Sequence, residues 1–175
     1  MTRRRWWMVG VLVWAGCAPA FAEHGQAEIR GTADGSAITG TATLTDTPQG
    51  LQIIVQLQQV PPGTHGLHIH QSGSCGNGGQ AAGGHYNPDG APHGFVLADG
   101  LRHAHVGDLG NIEIGSDGSG TLELIVPNVT LSGSRYSVAG RAIILHEWPD
   151  DFSQPTGNAG GRIACGPIIL TEPGS

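Results

Sequence analysis

The sequence predicts an all-β domain, a Greek-key β-sandwich or flattened barrel of about eight antiparallel strands with two long functional loops. Three observations predict it. Apolar and β-branched residues alternate with polar ones in several runs of strand length, and no window sustains a helical period. Gly and Pro supply 30 and 11 of the 175 residues and fall between those runs rather than in one linker, which reads as turns. Two stretches, about residues 71 to 107 and 147 to 164, are too long and too rich in Gly, His, Asp and Pro to be turns. Loops of that length in a compact domain usually carry function.

The chain opens "MTRRRWWMVGVLVWAGCAPAFAEHG". Arg3, Arg4 and Arg5 precede an apolar run too short to cross a membrane comfortably, and Ala20-Phe21-Ala22 supplies a small-x-small cleavage pattern. Residues 1–22 are therefore expected to be an export signal. Residues 23–175 are the expected mature domain, placed in the periplasm or outside the cell, with no stable membrane insertion once the signal is gone. Two variants stay open: a twin-arginine signal in "TRRRWW", and a lipoprotein anchored through Cys17 in "WAGC". The second is disfavoured because Trp14 stands where such sites usually carry Leu. The remaining 153 of 175 residues suffice for one domain with its own core. Without the three arginines, five basic residues face fourteen acidic ones, a net charge of −9, which argues against nucleic acid as a partner. The chain has no lysine, and Trp148 is the one tryptophan of the mature domain.

The strands follow in order. "SAITGTATLT" alternates small and β-branched residues, and "GLQIIVQLQQV" sets Leu51, Ile53, Val55 and Leu57 against Gln52, Gln56 and Gln58. "GLHIH" comes directly after the turn-like "VPPGTH". Strand side chains alternate, so Leu67 and Ile69 face the core while His68 and His70 share the other face. "GTLELIVP" and "YSVAGRAIILH" continue the pattern up to His146.

Two parallel imidazoles on one face are half of a metal site. Six of the nine histidines sit at strand ends or in glycine-rich loops: His68, His70, His85 in "AGGHYNP", His93 in "PHG", His105 in "HVGDLGN" and His146 in "AIILHE". Asp108 follows His105 by three residues. Six imidazoles and a carboxylate exceed one tetrahedral site, so two metals sharing a ligand is the economical count. A single histidine in such a chain is more often a surface or satisfied core residue, and His24 and His65 are read so, as terminal and turn residues.

"GLHIH", "GGHYNPDGAPHG", "HVGDLGN", "AGRAIILHEWPDD" and "GNAGGRIACGPI", in that order over essentially the whole mature chain, resemble the successive signatures of the copper,zinc superoxide dismutase family, in its exported, bacterial form. The resemblance implies dismutation of superoxide to dioxygen and hydrogen peroxide, with copper cycling between Cu(II) and Cu(I) beside a fixed zinc, and it allows a homodimer. It implies copper ligation by His68, His70, His85 and His146, and zinc ligation by His85, His93, His105 and Asp108, with His85 as a catalytic bridge that takes up a proton during turnover. Imidazoles suit both copper states, and three imidazoles plus a carboxylate close a zinc site. By the same resemblance Asp150 joins His68 to His93, Arg162 guides the anionic substrate to copper, and Cys75 pairs with Cys165. Such a bridge closes a loop of 90 residues, for which chain entropy sets an upper stabilisation of about 4 kcal/mol. No Cys-x-x-Cys supports thiol exchange.

Some features depart from the family pattern. "HGFVLADGLRHAH" is longer than its counterpart in familiar eukaryotic members and contains a competing imidazole, His103. His105 is preferred because "HVGDLGN" puts it in register with Asp108. The loop from His146 to Arg162 is shorter and lacks lysine. Asp151 reads as a solvated loop acid, and Glu147 is expected on the opposite strand face from His146. Asn128-Val129-Thr130 is a formal glycosylation sequon. A copper/zinc-binding or copper-delivery module on the same fold is the alternative, disfavoured because all four copper positions are filled. A zinc hydrolase ranks last, since the zinc set is closed and no Glu is placed as a base.

Overall fold

The computed structural model describes residues 22–172, so the expected export signal, up to residue 21, and Cys17 lie outside the described residues. Among the described residues nine strands form: β1 His24–Gly31, β2 Thr39–Thr47, β3 Gly50–Gln58, β4 Gly63–His70, β5 Asp108–Ile114, β6 Gly120–Val126, β7 Ala142–His146, β8 Arg162–Pro167 and β9 Ile169–Thr171. They pair antiparallel in the order β5-β4-β7-β8-β1-β2-β3-β6, with β9 against β1. The result is a nearly closed barrel whose seam lies between β5 and β6, two strands joined by a tight turn at Gly115 to Ser119. Among the described residues no helix is long and apolar enough to cross a membrane.

The predicted alternation in β3 is realised: Leu51, Ile53, Val55 and Leu57 are buried, and Gln56 and Gln58 are exposed. They meet Ala42 and Leu44 of β2, Leu67 and Ile69 of β4, Leu109 and Ile112 of β5, and Ile143 and Leu145 of β7 in one core. Both faces of β7, and of β4 from His65 onward, are buried. Leu67 and Ile69 fill the barrel, and the opposite face lies under the long loops, where a small cluster of Ala82, Ala142, Ile144 and Cys165 packs with Cys75. That cover is why His68 and His70 are buried rather than solvated.

Two register shifts place functional residues. One between Gly66 and His68 sets Asp108, the first residue of β5, opposite His68. Another between Leu145 and His146 sets Arg162, the first residue of β8, opposite His146.

Three expectations are corrected. "YSVAGRAIILH" is strand only from Ala142. Before it, Gly140 has φ 78°, Arg141 N–H bonds to Val138 C=O, and the Arg141 guanidinium lies over the Tyr86 ring at 3.3 Å. The second long loop ends at Gly161, because β8 already begins at Arg162. His65 is no turn residue: it is buried in β4, with Nδ1 2.8 Å from His146 O and Nε2 2.9 Å from Pro61 O. The first long loop spans residues 71–107 as expected. Its extra length between His93 and His105 folds into one helical turn, α1 Val96–Asp99, with Asp99 Oδ2 accepting from Phe95 N–H at 2.8 Å.

Candidate metal centre

His68 and His70 from the end of β4, His146 from the end of β7 and His85 from the first long loop converge so that one ligand atom of each lies within 4.8 Å of the others. The loop carries His85 to this point through a bridge between its main chain and that of His70. Each ring's other nitrogen is spoken for. His70 Nδ1 lies 2.9 Å from Gly83 O, His146 Nδ1 lies 3.4 Å from Gly160 O, and His68 Nε2 lies 2.7 Å from Asp150 Oδ2. A proton on each of those nitrogens satisfies the oxygen beside it and leaves a lone pair on the far side of the ring. His70 Nε2 and His146 Nε2 then face each other at 3.3 Å, and His68 Nδ1 is buried without a partner. Lone pairs aimed at a common point repel unless a cation sits there, so this half of the centre fits a metal bound by imidazoles alone.

The other half is built around Asp108. Nδ1 of His85 and of His105 lie 2.9 and 3.0 Å from Asp108 Oδ1, and His93 Nδ1 lies 2.9 Å from Oδ2. The last contact lacks hydrogen-bond geometry, and His93 Nδ1 has no other partner. Three nitrogens and one carboxylate, all buried, form the donor set of a closed tetrahedral zinc site. His85 has its Nδ1 here, which leaves Nε2 for the first group. It is the one residue common to both groups.

Electrostatics agree with the division. Burial pushes His70 down to about 2, His85 down to about 4 and His146 down to about 3, so these rings are neutral and free to ligate at physiological pH. Burial also opposes the charged form of His93, but the Asp108 and Asp150 carboxylates, each 2.9 Å from one of its ring nitrogens, outweigh it and raise this ring to about 9. Burial works against the Asp108 carboxylate as well, yet its bonds with His105, His85 and His93 hold it well below the usual carboxylate range.

Asp150 lies between the two groups. Its Oδ2 meets His68 Nε2 at 2.7 Å and its Oδ1 meets His93 Nε2 at 2.9 Å, so a single buried carboxylate orients one ring of each group. Asp151 is an exposed loop acid, Glu147 is exposed, and His103 is exposed and outside both groups. Cys75 and Cys165 are joined, with Cα atoms 5.7 Å apart. Arg162 lies beside the mouth of the first group with His70, His85, His146, Thr156 and Gly160, around a cavity of about 250 Å³. Its guanidinium donates to Gly79 O at 2.7 Å and Gly83 O at 2.6 Å.

Sequence reasoning missed Asn111. Its side chain accepts from Asp150 N–H at 2.7 Å and donates to Asp150 C=O at 2.9 Å, registering the second loop against β5. It is the final letter of "HVGDLGN", three residues after Asp108, but its partners are main-chain groups that no sequence pattern marks. No pattern in the sequence singled out His65, whose partners are main-chain carbonyls of any residue type.

A nearly closed antiparallel barrel that holds one all-imidazole site and one closed zinc site through a shared histidine defines a two-metal redox protein. The family model described as copper/zinc superoxide dismutase (SODC) matches residues 38–168, and the chain belongs to that family. It is 44% identical over 138 residues to "Superoxide dismutase [Cu-Zn] 2" of Brassica juncea, covering 75% of this chain and 82% of that one. Among solved structures, the clock protein EA4 superposes with a TM-score of 0.74 at 32% identity, covering 85% of this chain and 94% of that one. The chain is thus an oxidoreductase, with a copper site at His68, His70, His85 and His146 and a zinc site at His85, His93, His105 and Asp108.

Proposed function

We propose that the chain is an exported, bacterial-type copper,zinc superoxide dismutase that removes superoxide arising outside the cytoplasm, with Arg162 and His85 as its catalytic side chains. The observation that carries the reading is the convergence of two complete ligand sets on one shared imidazole, that of His85. Bound copper supplies a one-electron acceptor and donor, and bound zinc supplies a fixed charge. Arg162, held by two main-chain carbonyls at the mouth, offers the approaching anion a cation. His85 would serve both metals, its Nδ1 lying in the zinc group beside Asp108 and its Nε2 being left for the copper group, and Nε2 is the atom of this ring that could take up a proton. Asp150 keeps the protons of His68 and His93 on Nε2, aiming their Nδ1 atoms at the metals.

Export is supported by the arginine-led apolar segment ending in Ala20-Phe21-Ala22 and by the disulfide. Metal analysis with a superoxide-consumption assay tests the enzyme: one copper and one zinc per chain are expected, with a copper resonance that changes when zinc is removed. Full activity with a single metal would overturn it. Fractionation with N-terminal sequencing tests export, the expected first residue lying near Glu23. An uncleaved chain in the cytoplasm would sink that part alone.

A further inference from the structure

The loop of residues 147–161 brings more than a carboxylate to the zinc half of the centre. Four residues beyond Asp150, the side chain of Gln154 turns back onto the main chain of His93. Gln154 Oε1 accepts from His93 N–H at 3.0 Å, and Gln154 Nε2 donates to His93 C=O at 2.8 Å. We propose, building on the reading of His93 as a zinc ligand, that Gln154 is a positioning residue of the zinc site. By holding both main-chain groups of His93 it fixes the direction in which Nδ1 of that ring points.

Four observations carry this. His93 belongs to no strand or helix, so no ladder of hydrogen bonds fixes its main chain as β4, β5 and β7 fix those of His68, Asp108 and His146. A ring held only at Nε2 by Asp150 can still swing as its own backbone turns, whereas bonds at Nε2, N–H and C=O leave no such freedom. The loop that supplies Asp150 and Gln154 is itself pinned, since Asn111 holds the Asp150 main chain in both directions. Gly157, at φ 74°, lets the loop fold tightly over this point, because a Cβ there would collide with Asp150 Oδ1 and His93 Nε2.

The chemistry selects glutamine. A planar carboxamide has a donor and an acceptor side by side, matching one N–H and one C=O. A carboxylate keeps the acceptor but sets a negative oxygen against His93 C=O. Methionine keeps the length and offers neither bond. Groups that orient a ligand without touching the metal typically contribute tenfold or more to its affinity.

The test uses the mature protein, Gln154→Met and Gln154→Glu, each stripped of metal. Zinc affinity is measured by competition with a chromophoric chelator, Co(II) in the zinc site by its visible spectrum, copper affinity in parallel, and the thermal midpoint on metal-free protein. Both variants should lose about tenfold or more in zinc affinity and shift the Co(II) bands, with a much smaller change in copper affinity and in the metal-free midpoint. Wild-type zinc affinity with an unchanged Co(II) spectrum would overturn the inference. So would equal losses of both metals with a matching fall in the midpoint, which would make Gln154 a general staple of the loop. Failure of the wild type to take up one zinc would overturn the site reading itself, and this inference with it.

Discussion

Arg162 and His70 share one acceptor: the carbonyl oxygen of Gly83 lies 2.6 Å from the Arg162 guanidinium and 2.9 Å from His70 Nδ1. The residue proposed to attract substrate and a copper ligand are therefore set by the same peptide group. The steering charge cannot drift relative to the metal it serves.

That relationship bears on how a domain of net charge −9 attracts an anion. Charges farther than a Debye length of ~8 Å are screened at physiological salt, so groups at the mouth decide the approach. With no lysine in the chain, Arg162 is the cation set there. Arg162→Ala should lower the second-order rate substantially and flatten its decline with added salt. Arg162→Glu should lower it further and make salt accelerate the reaction. A salt series with rates equal to wild type would locate steering in the metals and main-chain dipoles.

The two ligand groups predict a division of labour. His146 belongs to the copper group alone, so His146→Ala should abolish dismutation while zinc stays bound. His93 belongs to the zinc group and touches copper only through Asp150, so His93→Ala should lower stability and distort the copper resonance, with turnover reduced rather than lost. Loss of turnover in His93→Ala with activity kept in His146→Ala would reverse the assignment.

Much of this was legible in the sequence, and the limits have physical causes. Period-two alternation in β3 and "GLHIH" exposed the strands and the shared face of the ligands, because burial on one side forces that pattern. The short β9 and the turn before Ala142 were not legible, since "YSVAGRA" satisfies a strand pattern while the Gly140 turn and the Arg141–Tyr86 contact are tertiary choices. The ligands themselves were readable because metals demand particular side chains. Asn111, Gln154 and His65 were not, because they act on main-chain groups that every residue possesses.

Zinc uptake should release a proton from His93. Burial disfavours its charge, but Asp108 and Asp150 raise the ring to about 9, so the metal-free protein carries it protonated at neutrality. A metal must displace that proton, so zinc affinity should climb about tenfold per pH unit from neutrality until it levels near 9, the proton appearing in an indicator assay. The sign for the metal-free fold is opposite. A pKa raised from 6.5 contributes stability that is complete below 6.5 and lost as pH rises through about 9. Copper affinity measured without zinc should vary less over this window, because His70, His85 and His146 are already neutral and His85 can then keep its Nδ1 proton. A zinc affinity flat with pH would mean that His93 is neutral before the metal arrives.

The last prediction concerns Cys75 and Cys165, whose bond ties the loop after β4 to β8. Gly79 and Gly83, the acceptors of Arg162, lie on that loop, and Arg162 begins β8, three residues before Cys165. The bridge therefore closes a small frame with Arg162 inside it. Replacing both cysteines by serine removes up to about 4 kcal/mol of chain-entropy stabilisation and should lower the thermal midpoint accordingly. It should also lower the dismutation rate at full metal content, because the loop that positions the guanidinium and His70 is no longer pinned. Arg162→Ala in the serine background should then cost less than it does in the parent, since part of its effect is already lost. Equal costs in the two backgrounds would show that the bridge and the arginine act independently, the disulfide serving stability alone.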